Sequence, residues 1–404
     1  YPATLTYTVQ PEFNGCKGDS FEVVITVNPT VGVDAIADQV LCNGDDTLAV
    51  EFSTIIDDSN SASFTQLGDD IDGEAAGDEF GAYVTFNGAG DIIAIGAQNA
   101  NDVAGQVNVY QYTNNDWIQL GSAITGNVSG EYTFRGVLNS QGNILAIGSE
   151  SNTNSAGTSS GQVKVYEYVN GSWTQLGQNI DGSSANNAFG KAIDINDQGD
   201  VIAVSEPYNN TSSSLTTNGR VRIFEYTDGS WIQKGDNIDG QYSNLQSGHS
   251  IDLNASGDRI AVGSGNINTT YEGFAAVYEF SNDSWQQIGS NIYGENDDDN
   301  SANYLNHTIS LNSNGDRIAI GAGLNDGNGE NSGHVRVFEY TNNNWSQLGQ
   351  NLNGEASNDV FGRVVALNSV GNRLAIGTNN NDGNGDNSGH VRIYKLLNNS
   401  WVQI

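Results

Sequence analysis

Apolar and polar positions alternate in short runs along most of the chain, and the runs recur. Between residues 308 and 348 one full set is visible. Thr308-Ile309-Ser310-Leu311 alternates with period two, and Arg317-Ile318-Ala319-Ile320-Gly321 is nearly all apolar. His334-Val335-Arg336-Val337-Phe338-Glu339-Tyr340 is β-branched and aromatic, and Trp345-Ser346-Gln347-Leu348 closes the set. Period-two alternation predicts half-buried strands, and a short apolar run bounded by turn residues predicts a strand buried on both faces. The breaks, such as Asn312-Ser313-Asn314-Gly315-Asp316 and Asn342-Asn343-Asn344, are rich in residues that tolerate the positive φ of tight hairpins. No segment carries an amphipathic helical period.

The set repeats. All six tryptophans, Trp117, Trp173, Trp231, Trp285, Trp345 and Trp401, share one context at spacings of 56, 58, 54, 60 and 56 residues, and Phe64 takes the same place 53 residues before the first. A second marker runs in phase: Gly90-Asp91, Gly142-Asn143, Gly199-Asp200, Gly257-Asp258, Gly315-Asp316 and Gly371-Asn372. Four antiparallel strands in each unit of this length predict an all-β fold, a β-propeller of four-stranded blades spanning 57–404. There are six sets of the first three strands and seven fourth-strand motifs, counting Phe64. Six blades with a spare strand and seven blades with one incomplete both satisfy that count. The recurrence of one large aromatic per unit favours packing between blades over sugar stacking as the role of these rings.

Composition narrows the partners. The 404 residues hold 48 acidic and 14 basic side chains, a formal net charge of −34. Nucleic acid and anionic membranes need a basic face, so neither is an expected partner. No apolar run reaches the length of a membrane-spanning helix. The chain lacks Met, which suggests a processed product or an excerpt of a longer polypeptide. Cys16 and Cys42 can form at most one disulfide, in an oxidising compartment, and sequence leaves the pairing open.

Asp78-Glu79-Phe80-Gly81, Ala188-Phe189-Gly190 and Asp359-Val360-Phe361-Gly362, each followed by a strand, resemble the FG-GAP repeats of integrin α-subunit propellers. Together with segments such as Asn325-Asp326-Gly327-Asn328-Gly329-Glu330, they resemble still more the related repeats of secreted Bacteroidota surface proteins. In three copies the Phe-Gly pair is replaced, by Tyr132-Thr133, Ser247-Gly248 and Leu305-Asn306. Residues 1–30, with the alternating runs Leu5–Val9 and Phe21–Val27, resemble the closing strands of a PKD-like or Ig-like module. Residues 31–56 resemble the opening of another, or a linker, and Asp46-Thr47-Leu48 resembles a short O-glycosylation acceptor. Two half-modules in that order suggest either an excerpt or open strand edges that a neighbouring copy fills.

Candidate chemistry is sparse. Asp326, Asn328 and Glu330, and again Asp382, Asn384 and Asp386, place oxygen ligands at alternate positions as in the first half of an EF-type loop, which suits Ca²⁺. The distal carboxylate of such a loop is absent, Ile393 standing there. His334 and His390 share a repeat position that holds Gln106, Gln162, Arg220 and Phe274 elsewhere, which reads as a tolerant surface site. Asp57-Asp58 and Asp69-Asp70 read as chance neighbours in so acidic a chain, and Asp297-Asp298-Asp299 as a solvated loop. No nucleophile elbow, P-loop, HExxH or CxxC occurs.

The expectation is therefore a protein that is not an enzyme: a secreted adhesin or fibre component at a bacterial cell surface, its propeller a rigid unit on an Ig-like stalk. Loops 98–105, 150–161, 206–219 and 264–273 would then meet glycans or other surface ligands, and copies of the chain or neighbouring modules would be the other partners. Two alternatives stand beside it, a filament subunit joined by strand addition and a propeller polysaccharide lyase or glycosidase. The last predicts two carboxylates, or a Tyr–His pair, at the central channel.

Overall fold

Each blade is organised by the turn after its first strand. Asn254 shows how: its Oδ1 accepts the backbone N–H groups of Asp258 and Arg259 at 3.1 and 2.9 Å, while its amide donates to Asp258 Oδ1 at 2.8 Å. Asn87, Asn139, Asn196, Asn312 and Asn368 close the same turn in the other blades. The second turn of each blade uses left-handed residues; Asn342 and Asn343 have φ of 53° and 61°. Two successive positive φ values match the twist of the flanking strands.

The computed structural model describes residues 66–404, except 266–272, 296–307 and 384, together with the backbone of Ala3–Val9, Glu12–Phe13, Cys16–Lys17 and Phe21–Val27. The chain divides into two units, Tyr1–Gln66 and Leu67–Ile404. In the first, Ala3–Val9 pairs antiparallel with Phe21–Val27, Ala3 opposite Val27 and Val9 opposite Phe21. The pairing of Cys16 with Cys42 that the sequence leaves open, the module opening at 31–56, Asp46-Thr47-Leu48, Asp57-Asp58, Phe64 and Asp297-Asp298-Asp299 lie outside the described residues.

The second unit is all-β: six antiparallel four-stranded blades in a propeller arrangement. The first strands are Phe80–Phe86, Thr133–Leu138, Ile193–Ile195, Ser250–Leu253, Ile309–Leu311 and Val364–Leu367, numbered here as blades 1 to 6. Blade 5 continues with Arg317–Ala322, His334–Thr341 and Asn344–Gln347, with Ile309 opposite Ile320, Ile318 opposite Phe338 and Tyr340 opposite Trp345. Second strands such as Ile92–Ala97 are buried at every position, as their unbroken apolar runs require when sheets cover both faces. Successive first strands face the channel side by side. Backbone bonds link their turns from Gly88 to Ser140, Ser140 to Asp197, Asp197 to Ala255, Ala255 to Ser313 and Ser313 to Ser369.

Five of the six tryptophans lie at the junctions between blades. Trp173, Trp231, Trp285, Trp345 and Trp401 donate Nε1–H to Leu120, Leu176, Lys234, Ile288 and Leu348 carbonyls of the preceding blade, at 2.7 to 3.1 Å. Within its own sheet the indole packs at a tilt on the opposite aromatic, Tyr226 on Trp231 at 5.2 Å and Tyr340 on Trp345 at 5.1 Å. The ring thus fills the wedge between two sheets and satisfies its one donor.

Candidate active site in the central channel

Two residues before the turn Asn, the first strands carry Thr85, Val137, Asp194, Asp252, Ser310 and Ala366. Two of these are acids, in adjacent blades. Asp194 Oδ2 accepts the Leu253 N–H at 2.6 Å, Asp252 Oδ2 accepts that of Leu311, and Ser310 Oγ accepts that of Leu367 at 3.1 Å. Each side chain therefore stitches its blade to the next. The two carboxyls also act on each other, while the Ile195 backbone serves Asp194 and the Ser310 hydroxyl serves Asp252. Two carboxyls in contact cannot both ionise at low cost, so the pair holds one proton. Burial pushes Asp194 up to about 6, against the hydrogen bonds that favour its charge. Burial, and then the Asp194 charge, push Asp252 well above the carboxylate range. Asp252 is the partner that keeps the proton, and Asp194 the one that ionises near neutrality.

Two residues further from the turn, the column reads Tyr83, Arg135, Ala192, Ser250, Thr308 and Val364. Tyr83, Arg135, Lys191, Ala192, Ile193, Ser250 and Ile251 line a small cavity. Ser250 is buried and its Oγ has no hydrogen-bond partner among the described residues, so the cavity presents an unused hydroxyl. Burial raises the Tyr83 phenol, with Arg135 opposing and the Asp194 charge adding, so it stays protonated. His249, the residue before Ser250, is pushed down to about 4, first by burial and then by the Lys191 and Arg135 charges. It is neutral at pH 7. Its Nε2 lies 2.7 Å from Gln246 Oε1; with that oxygen accepting, Nδ1 is left as the acceptor. Lys191 pairs with Glu150 at 3.0 Å and sits 5.7 Å over the Tyr208 ring, which meets His249 edge to face. A Tyr, a neutral His and two cations thus gather near a proton-sharing acid pair.

None of these residues was singled out by motif. The signal available in the sequence was the repeat column itself, in which Asp194 and Asp252 stand where other copies have Thr, Val, Ser and Ala. The residues that pattern did single out lie elsewhere. In the hairpins of blades 5 and 6, Asp326 Oδ1 accepts the Asn331 N–H and Asp382 Oδ1 the Asn387 N–H, both at 2.7 Å, while the Asn328 amide donates to the Gly354 carbonyl. Glu330 and Asp386 are exposed, and Asn384 lies outside the described residues. No three His, Cys, Asp or Glu side chains converge among the described residues. The His334 column is not a surface position: His334, Gln106, Gln162 and Phe274 are buried. The reason is radial, since the start of each third strand is covered by the chain of the following blade.

No family model and no curated protein matches the sequence. Solved structures do match the fold. A periplasmic gluconolactonase of Pseudomonas aeruginosa aligns with a TM-score of 0.54 at 12% identity, covering 80% of this chain and 83% of its own. A candidate 6-phosphogluconolactonase of Bacteroides uniformis gives 0.53 at 11%, covering 80% and 83%, and the hydrazine synthase of Kuenenia stuttgartiensis 0.51 at 13%, covering 82% and 80%. At such identities the likeness is one of fold. FG-GAP membership and Ig-like modules gain no support from it. It does correct the expectation that the chain is not an enzyme: propellers of this shape include proteins named as lactonases and a synthase. The acid pairs read as chance were sequence neighbours, whereas folding sets Asp194 and Asp252, 58 residues apart, on adjacent first strands.

Proposed function

We propose that the protein is a hydrolase acting on a sugar-derived lactone or ester in the central channel, outside the cytoplasm. The observation that carries this reading is the pair of acids Asp194 and Asp252 on adjacent first strands, beside a cavity lined by Tyr83, Arg135, Lys191 and the unpartnered Ser250 hydroxyl. Ionised Asp194 takes a proton from water as the water oxygen bonds to the carbonyl carbon. Arg135 and Tyr83 offset the charge that develops on the carbonyl oxygen. When the acyl C–O bond breaks, the proton passes through the pair to the departing oxygen. A base that ionises near pH 6 is matched to this task at neutral pH. Two neighbours named as gluconolactonases, one of them periplasmic, support the substrate class and the compartment.

A glycosidase needs two carboxyls about 5 to 9.5 Å apart with separate roles on either side of a glycosidic bond, whereas these two act on each other's proton. A lyase reading keeps one specific support, the neutral His249 with an available Nδ1 against Tyr208 and close to the Lys191 and Arg135 charges, which would neutralise a uronate. One panel separates the two. Sugar lactones, acyl esters and uronate polymers are offered to the purified chain at pH 7.5, with acid release and ultraviolet absorbance followed together. Acid release without absorbance is the expected result. Unsaturated product would establish the lyase, and no turnover of any member would remove both.

A further inference from the structure

Every blade in a propeller hides one face against the blade before it and the other against the blade after it, and the glycines record those contacts. A Cβ added to Gly96, Gly148 or Gly321 would meet the next blade's Phe134, Gly190 or Gly362 carbonyl at 2.0, 2.3 and 1.9 Å. The matching Gly377 of blade 6 would meet only Val364 and Val391 of its own sheet, at 3.8 and 3.9 Å. On the other side, a Cβ on Gly142, Gly199, Gly257, Gly315 or Gly371 would touch the preceding blade, whereas one on Gly90 of blade 1 would meet nothing within 4 Å. Side chains tell the same story. Val107, Val163, Val221 and Val335 are fully buried, while Val391 at the same position is 66% exposed. Leu138, Ile195, Leu253 and Leu311 are buried, while Phe86 at the same position of blade 1 is 51% exposed.

The two uncovered faces are therefore the surfaces that form the five established junctions: blade 6 lacks a follower and blade 1 lacks a predecessor. Blade 1 nevertheless keeps one contact of such a predecessor. Trp117 donates Nε1–H to the Leu67 carbonyl at 2.8 Å, the bond every other tryptophan makes to the fourth strand before it. Blade 6 has a fourth strand of its own, Ser400–Gln403, so Leu67 is not blade 6's.

We propose that the space between blades 6 and 1 is the seat of a seventh blade of the same repeat, supplied in cis. The occupant is set by the walls. One wall is a sheet face that every other blade covers with the next copy, and the other a face that every other blade presents to the last.

The test extends the chain. Residues 349–397, which carry blade 6's first three strands, are joined directly after Ile404, in register with the repeat. The extended chain is expected to stay monomeric, to lose binding of an apolar fluorescent dye, and to slow amide hydrogen exchange in His390–Leu397 and Phe80–Phe86. Replacing the added copies of Val365 and Leu367 by Asp should abolish these gains. An extended, folded chain with unchanged dye binding and exchange would overturn the proposal. The parent chain provides a check that needs no extension. Its His390–Leu397 strand should exchange faster than His334–Thr341, and V391D should not alter its sedimentation. A parent dimer that V391D dissociates would mean that a second copy fills the seat, and would overturn the proposal.

Discussion

The Asp194–Asp252 pair and His249 lend the fold opposite pH dependences. Asp194 binds its proton more tightly folded than unfolded, so as pH rises from about 4 to 6 the unfolded chain releases that proton first and stability falls, then levels. His249 binds its proton less tightly folded, so stability rises between about pH 4 and 6.5. Removing one contribution exposes the other. D252N keeps a donor to Asp194 and removes a competing carboxyl, so it should raise stability at pH 8 by about 1 kcal/mol, measured by urea unfolding at pH 5 and pH 8, with the gain largest at pH 8. A loss at pH 8 would show that the pair is not strained by shared charge. H249F should steepen the decline of stability between pH 4 and 6.

At the scale of the element, the blade was legible and the channel was not. Asn-x-x-Gly-Asp or Asn-x-x-Gly-Asn turns, mostly apolar second strands and a tryptophan per copy announce themselves because six copies repeat them. N254A removes two backbone acceptor contacts at a buried turn and should cost about 1 to 2 kcal/mol. W231A removes a buried ring and its bond to Leu176 and should cost about 3 to 5 kcal/mol, unless the two adjoining sheets close on the void. Circular dichroism melts of both variants check the order. The channel residues escaped notice for the opposite reason: Tyr83, Arg135, His249 and the two Asp stand in columns whose residue changes from copy to copy, and a periodicity search discards variable columns. Strand alternation also says which residues share a face but not whether that face looks to the channel or to a neighbouring blade. The buried His334 column was misread on that account. Calcium at the blade 5 and blade 6 hairpins is a proposal of the same scale; with Asp326 and Asp382 already accepting backbone N–H groups, EDTA should shift the melting temperature by less than about 2 °C. A larger fall would establish a bound cation.

At the scale of the whole molecule, a net charge of −34 surrounds a channel that holds Arg135 and Lys191. Long-range repulsion acts on an approaching anion, and the local cations act only once it has entered. Raising ionic strength from about 10 to about 150 mM shortens the screening length from about 30 to about 8 Å. An anionic lactone should therefore show a several-fold fall in KM over that range, and a neutral lactone little change. An anionic substrate whose KM rises with salt would place the recognition charge on the outer surface instead.

The catalytic role of the acid pair is tested most directly by the pH dependence of kcat/KM for lactone hydrolysis in the wild type and in D194N. The wild-type value should climb tenfold per pH unit below about pH 6 and level above it, and D194N should lose about two to four orders of magnitude while melting as a folded protein. A folded D194N that hydrolyses the lactone at the wild-type rate, or a wild-type profile flat through pH 6, would contradict the account.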